Sequence, residues 1–466
     1  MPDGGADLAV TAAPTTLLER LREARRLLAL RPYRLLFTAR VLSLAGTAVA
    51  PIALAFAVLR LNGPPDRQAG HLGLVLAAGM LPRIVLLPVG GVVADRIRRD
   101  HVLVVTNLTC ALAEAVAVLL LATGAARLWH LVLMSLLCGI ASAFAMPASE
   151  SLVAHSVPAP LRYPATVLLM AAQNSVKVGG PALGGALVAV VGPTWLIAWD
   201  ALTFTASAAL LARIGSAPAP THSPPPRPEP AGPIRFQVDL AEGWHDLRSR
   251  PWLCLLVAHA AFVAPIWTVG YQLMGPLFSA RYLGGAGPWG KAMSAFAVGL
   301  LAGAAAAFVM RPYRMWPIVC ASTAAQALPL GAMALRWPVP ALTGATALAG
   351  AGTAIYAALW GPLLQQHLPP DRLSRAVANS AIAQLLPIPA AYLLTGPVTH
   401  LFGLRAVMAA GALALALAAV LPPFAPQIRT LTLIPSRPEN AAGRTPSRRR
   451  DQDPPAGPGS SPSVKR

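Results

Sequence analysis

The chain has 466 residues, of which 55% are hydrophobic and only 12% charged, with a mean hydropathy of +0.58. Soluble globular domains carry about 25% charged residues, so the composition excludes a string of soluble domains and specifies an integral membrane protein. The net charge of +19 would suit nucleic acid, but the basic residues sit in loops and tails rather than on one helical face, which sets that partner aside.

Residues 1–34 form a basic amphipathic N-terminus, in which Glu19 to Leu28 reads as a helix on the membrane surface. The first apolar segment after it is too long for the core of a signal peptide and is expected to remain as an anchor. A helix needs about 20 apolar residues to cross the hydrocarbon core. Twelve segments of that kind are predicted, at 35–59, 70–94, 102–123, 128–147, 163–190, 194–214, 252–274, 289–310, 315–335, 339–364, 374–399 and 404–424. They divide into a first six-helix half, 35–214, and a second, 252–424. Between them, 215–251 is a proline-rich linker, stiff from Pro218 to Pro233, with a surface helix from Ile234 to Arg250. Residues 425–466, rich in Pro, Ser and Arg, read as a disordered basic tail. The excess of Arg in alternate loops predicts that both ends lie in the cytoplasm. Trp129, Trp195, Trp252, Trp289, Trp316 and Trp337 fall near segment ends, where an interfacial belt requires them. Cys110, Cys138, Cys254 and Cys320 lie in apolar segments without metal-ligand spacing and read as small hydrophobes, so no metal or cofactor is expected.

Charged residues inside a bilayer are costly and mark function or pairing. Away from the outermost few residues of the predicted segments stand five: Arg40, Arg83, Glu114, Lys177 and Asp200. Arg40 is near an inner end, where it can snorkel, and Asp200 is about 10 Å from an outer end. Glu114, the one acid near midplane, is the leading proton carrier, with Lys177 or Arg83 as partner; a static pair that merely holds the bundle together is the competing reading. All five are candidates for coupling or substrate binding. The second half places no charge deep in its helices. His259 reads as a packed histidine, while Gln173, Asn174, Gln272, Asn379 and Gln384 fit a polar cavity or interhelical bonding equally. Gly285 to Gly290 fits a dinucleotide fingerprint, and Gly285 to Lys291 most of a phosphate loop. No strand precedes either, and Ala292 stands where a magnesium-binding hydroxyl is needed, so both are rejected.

The most specific run is the loop after the second segment, Gly90 to Arg99. Gly91, Asp95, Arg96 and Arg99, with Arg98 in addition, resemble the signature loop of the major facilitator superfamily, at the place where that family carries it. The resemblance implies a conformational-switch loop in which Asp95 caps the eleventh helix near Ser374. The corresponding loop of the second half, Met310 to Arg314, lacks an acid. In segment five, Gly180, Pro181, Gly184 and Gly185 resemble part of the motif of the exporter branches, with Val176 where a further glycine is usual; small residues at this spacing let helix backbones approach closely. Arg40 to Gly46, Leu81 to Arg83 and Asp200 to Phe204 are similar to the siderophore- and macrolide-exporter branch.

The resemblance implies an all-α integral membrane protein of the major facilitator fold, twelve transmembrane helices in two halves around a central cavity. It implies a secondary active transporter that exports a small organic molecule (drug, natural product or siderophore) by proton antiport and alternating access. The expected setting is the plasma membrane, with substrate, protons and lipid as partners, anionic lipid at the basic termini, and a monomeric state. A facilitator of other specificity, such as a lysophospholipid flippase or solute importer, shares every feature above, as does a non-transporting sensor or scaffold. No nucleophile elbow, HExxH run or metal-spaced His/Cys cluster is present in the sequence, so no enzyme activity is expected.

Overall fold

The computed structural model describes residues 17–61, 67–214, 248–310 and 314–433. The helices of the first half are α1 (Leu17–Ala29), α2 (Arg31–Arg60), α3 (Gln68–Arg96), α4 (Arg99–Ala122), α5 (Leu128–Ser156), α6 (Arg162–Val191) and α7 (Pro193–Ala212). The second half begins with α8 (Pro251–Trp267), which passes through π turns and the short α9 (Met274–Phe278) to Leu283. It continues with α10 (Ala286–Val309), α11 (Trp316–Ala334), α12 (Val339–His367), α13 (Pro370–Leu385), α14 (Pro387–Phe402), α15 (Leu404–Val420) and α16 (Pro426–Arg429). Among the described residues, eleven spans are long and apolar enough to cross a membrane. The 30 residues of α6 complete the twelve-helix fold.

The two halves repeat one packing scheme. In the first, α2 packs on α6 and α7, α4 on α5 and α7, and α3 on α5. In the second, α8 packs on α13, α11 on α12 and α15, and α10 on α12, the same pairs six helices later. The repeat extends to its turns. Gly192 (φ 84, ψ 163) joins α6 to α7, and Gly403 (φ 77, ψ 154) joins α14 to α15. A one-residue turn between antiparallel helices needs this positive φ, which only glycine adopts without strain.

Two ends of the bundle are distinguished below. The near end carries the start of α2, the α3–α4 turn and the end of α15; the far end carries the connection from α2 to α3. Contacts between the halves, α6 on α10 and α3 on α14, are made toward the far end. There a single apolar cluster joins both halves, from Val49–Val58 of α2 and Leu72–Val75 of α3 to Tyr271, Trp289, Leu330 and Tyr392. At the near end the cores separate. Leu27, Tyr33, Leu36, Leu103, Leu152 and Leu211 form one belonging only to the first half. Leu256, Met315, Val319 and Leu363, with Leu253, Val257 and Leu364 beside them, belong only to the second. Among the described residues the halves thus meet at the far end, and no apolar cluster joins them at the near end.

Several boundaries differ from the sequence reading. The seventh segment extends to Leu283 instead of 274, continuing through π turns, and its Gly275 lies against the Trp289 ring. Trp289 is consequently 1% exposed, in a cluster with Tyr271 (4.9 Å between centroids), and is not an interfacial tryptophan. Trp129, Trp195 and Trp337 are exposed as a belt requires. The eleventh segment is divided at Leu386, where Pro387 lacks the N–H that would continue the helix. Residues 425–433, read as the start of a disordered tail, pack instead: Ile428, Leu431 and Leu433 are buried, and Met315 N donates to Leu431 O at 3.3 Å. The amphipathic α1 tucks Leu27 onto α2 and α6 at the foot of the bundle. Most of the linker and its surface helix, and the tail from 434, lie outside the described residues.

A buried carboxyl pair between α4 and α7

Helical periodicity gives α4 two unlike faces. Val105, Leu108, Leu112, Val116 and Leu119 are exposed, while Leu103, Asn107, Cys110, Glu114 and Ala117 are buried against α5 and α7. On α7 the exposed face carries Trp195, Trp199 and Leu202, and the buried face carries Asp200, Thr203 and Ser207 at helical spacing. Two polar stripes therefore meet in one seam. Glu114 is 5% exposed and Asp200 1%, and their carboxyls interact directly. Counted at 1.5 Å per residue from the far ends of their helices, both lie roughly 10–12 Å deep. Placing Asp200 near an outer end and Glu114 at midplane thus separated two residues that share one level.

The surroundings satisfy only part of this pair. Thr203 Oγ1 donates to Asp200 Oδ1 at 3.3 Å and to the Asp200 carbonyl at 2.8 Å. Cys138 of α5 brings its Sγ to 3.9 Å from Glu114 Oε1, with Cys110 beside it. Glu114 Oε2, Asp200 Oδ2 and Ser207 Oγ are buried without a hydrogen-bond partner. Gly46 of α2 closes the seam: a Cβ there would overlap Asp200 Oδ1 and Thr203 Oγ1. Among the described residues, no cation pairs with either carboxyl. Two unit charges 4 Å apart repel by about 4 kcal/mol at an effective dielectric of 20, and each loses hydration on burial. A proton held between the carboxyls would remove that repulsion and supply an O–H donor where none exists.

The other sequence candidates are distributed differently. Arg83 is exposed on α3 and does not meet Glu114; Arg40 is half-buried on α2, below Gly46. The side chains of Lys177, Gly91, Asp95, Arg96, Pro181 and Ser374 lie outside the described residues. Arg98 is described and pairs with Asp100 at 2.8 Å, a hydrogen bond that raises the guanidinium above its ordinary range. Arg99 opens α4 and is half-buried. The segment-five glycines divide their work between two neighbours. Gly180 and Gly184 receive Ala48 and Val49 of α2, while a Cβ on Gly185 would fall 2.6 Å from Gly290 Cα of α10, across the half-to-half interface. His259 is packed, within 3.2 Å of the Ala418 carbonyl, and Gln384 bonds back to Ser380 O of its own helix.

Sequence reasoning missed the partnership of Asp200 with Glu114 and the role of Gly46. The spacing of Asp200, Thr203 and Ser207, opposite the exposed Trp195 and Trp199, was the signal available. Among the described residues, no cluster of His, Cys, Asp or Glu can hold a metal ion.

The sequence profile of the Major Facilitator Superfamily matches residues 35–387. No curated protein matches by sequence. Among solved structures the fold is similar to the nucleoside transporter NupG, with TM-score 0.62 at 11% identity over 83% of this chain and 97% of that one. It is similar to a bacterial homolog of the human lysosomal transporter Spinster in an inward-facing, unoccupied conformation, with TM-score 0.61 at 17% identity over 84% and 95%. A D-xylose-proton symporter gives TM-score 0.54 at 14% identity over 86% and 97%.

Proposed function

The chain belongs to the major facilitator superfamily, a multi-pass secondary transporter of a small molecule and not an enzyme, and from that premise we propose that it exports its substrate across the plasma membrane in exchange for protons. The observation that carries this reading is the Glu114–Asp200 pair, two buried carboxyls with orphaned oxygens and no cation among the described residues. A proton on the pair removes a charge from the seam behind α2, and α2 rests on Asp200 through Gly46. Loading and unloading that proton alters the fit of α2 against α7, the link between protonation and rocking that antiport needs.

In this reading both termini are cytoplasmic, so the near end, where no apolar cluster joins the halves among the described residues, opens to the cytoplasm and the far end is shut: the state that receives substrate from inside. The Gly91–Arg99 stretch, the end of α3 and its turn into α4, acts as the switch, and Arg40 and Arg83 supply cations for the substrate, with Lys177 a further candidate from the sequence. Such cations, with the acids withdrawn into their own seam, favour an anionic or polar organic substrate. Siderophores are of this kind, and the likeness of Arg40–Gly46 and Asp200–Phe204 to the siderophore- and macrolide-exporter branch points the same way.

The test is proton flux in proteoliposomes holding a pH-sensitive dye, with siderophores, macrolides and cationic dyes as substrates. The wild type is expected to couple substrate movement to proton counterflow, and Glu114→Gln and Asp200→Asn to lose that flux. Flux that persists in both variants, or protons that move with the substrate, would overturn the proposal.

A further inference from the structure

The α6–α7 turn carries a groove separate from both the half-to-half interface and the carboxyl seam. Leu187, Val190 and Val191 of α6 and Trp195, Leu196 and Trp199 of α7 line an open, mostly apolar groove of about 590 Å³. All but Leu196 are exposed. Because α6 turns its glycines toward α2 and α10, this remaining face looks out of the bundle into the bilayer. Trp195 and Trp199 are one helical turn apart on one side of α7. The groove therefore descends about 9 Å from Pro193 at the helix end.

A charge stands at its mouth. The Arg60 guanidinium, at the end of α2, lies against Gly192, with Nη2 3.3 Å and Nη1 3.5 Å from the position of a Cβ there. Arg60 is exposed and makes no ion pair or hydrogen bond among the described residues. The site thus has a planar cation at headgroup level, two indoles just beneath it, and an apolar trough below. A guanidinium pairs with phosphate through two parallel hydrogen bonds, and indoles settle at the membrane interface. A mostly apolar trough favours an acyl chain over a polar solute. We infer that this groove binds one glycerophospholipid of the surrounding leaflet, its phosphate on Arg60 and an acyl chain lying between Trp195 and Trp199.

The experiment is fluorescence quenching of the full chain in phosphatidylcholine vesicles doped with lipids carrying brominated chains. The signal of the groove is the difference between wild type and Trp199→Phe. Brominated phosphatidylglycerol is expected to half-quench that signal at about fivefold lower mole fraction than brominated diacylglycerol, which lacks the phosphate. A factor of about five is the weight of one arginine at a lipid surface. Arg60→Gln is expected to remove the difference, and Arg60→Lys to restore part of it with unchanged melting. Equal quenching by the two lipids, or an undiminished difference in Arg60→Gln, would overturn the assignment. Native mass spectrometry showing a second copy that shields the groove would overturn it as well.

Discussion

Replacing Gly290 by alanine tests how the far end is closed. A Cβ there would lie 2.6 Å from both C and O of Gly185 and 2.8 Å from Ala186 N. Ordinary van der Waals contact begins near 3.4 Å, so α6 and α10 must separate by roughly 1 Å, and because the obstacles are backbone atoms no rotamer relieves them. Overpacking of this kind costs about 1–3 kcal/mol. The cost falls on the state in which α6 and α10 touch and is absent once the far end opens, so it moves the equilibrium toward far-end opening by about 5–150-fold. Gly396→Ala, which would bring a Cβ 2.7 Å from Gly70 Cα at the other seam between the halves, acts in the same direction. The assay is a spin-label distance across the far end, from Val190→Cys on α6 to Lys291→Cys on α10, in a chain without its native cysteines. Gly290→Ala is expected to transfer population to the longer distance. Gly344→Ala, where nothing lies within 4 Å, serves as the control. An unchanged distance distribution in a folded Gly290→Ala chain would refute the idea that this contact is the closed gate.

At the carboxyl seam, Gly46→Ala drives a methyl group into Asp200 and Thr203; a loss of about 1–3 kcal/mol is expected as a lower melting temperature in detergent, together with weakened proton coupling. Tyr271→Phe deletes a buried hydroxyl that has no partner, so melting should be unchanged or higher, and a large drop would show that the hydroxyl is bonded. Arg405 donates through Nε and Nη2 to Ala334 O at 3.1 and 3.0 Å, closing the end of α11; Arg405→Ala should cost about 1 kcal/mol in thermal unfolding, since the side chain is exposed. The Arg98–Asp100 bond raises the Arg98 guanidinium, so from neutral pH up to that group's ordinary value its contribution is complete, and on the alkaline side it is lost only above the folded value. The difference in stability between wild type and Arg98→Gln should therefore stay constant from neutral to mildly alkaline pH.

Twelve crossings and a six-plus-six division were legible because a bilayer demands long apolar runs, and these persist whatever the helices pack against. The close-packing segment-five glycines were legible for a related reason, since small size is a property of single residues. What the chain could not disclose is which polar residues meet. Glu114 and Asp200 are 86 positions apart on non-adjacent segments, and their pairing depends on the rotation of α4 and α7 about their own axes. That rotation is set by which faces are apolar on every neighbouring helix at once. Likewise Trp289 resembles an interfacial tryptophan until Gly275 draws its ring into the core. Gly46 and Gly290 look like ordinary membrane glycines until Asp200 and Gly185 stand opposite them. The sequence by itself determined how many times the chain crosses and where it turns, because those follow from local hydropathy. Only the tertiary structure decided which two carboxyls meet and at which end the described residues join the halves, because both arise from contacts between segments distant in the chain.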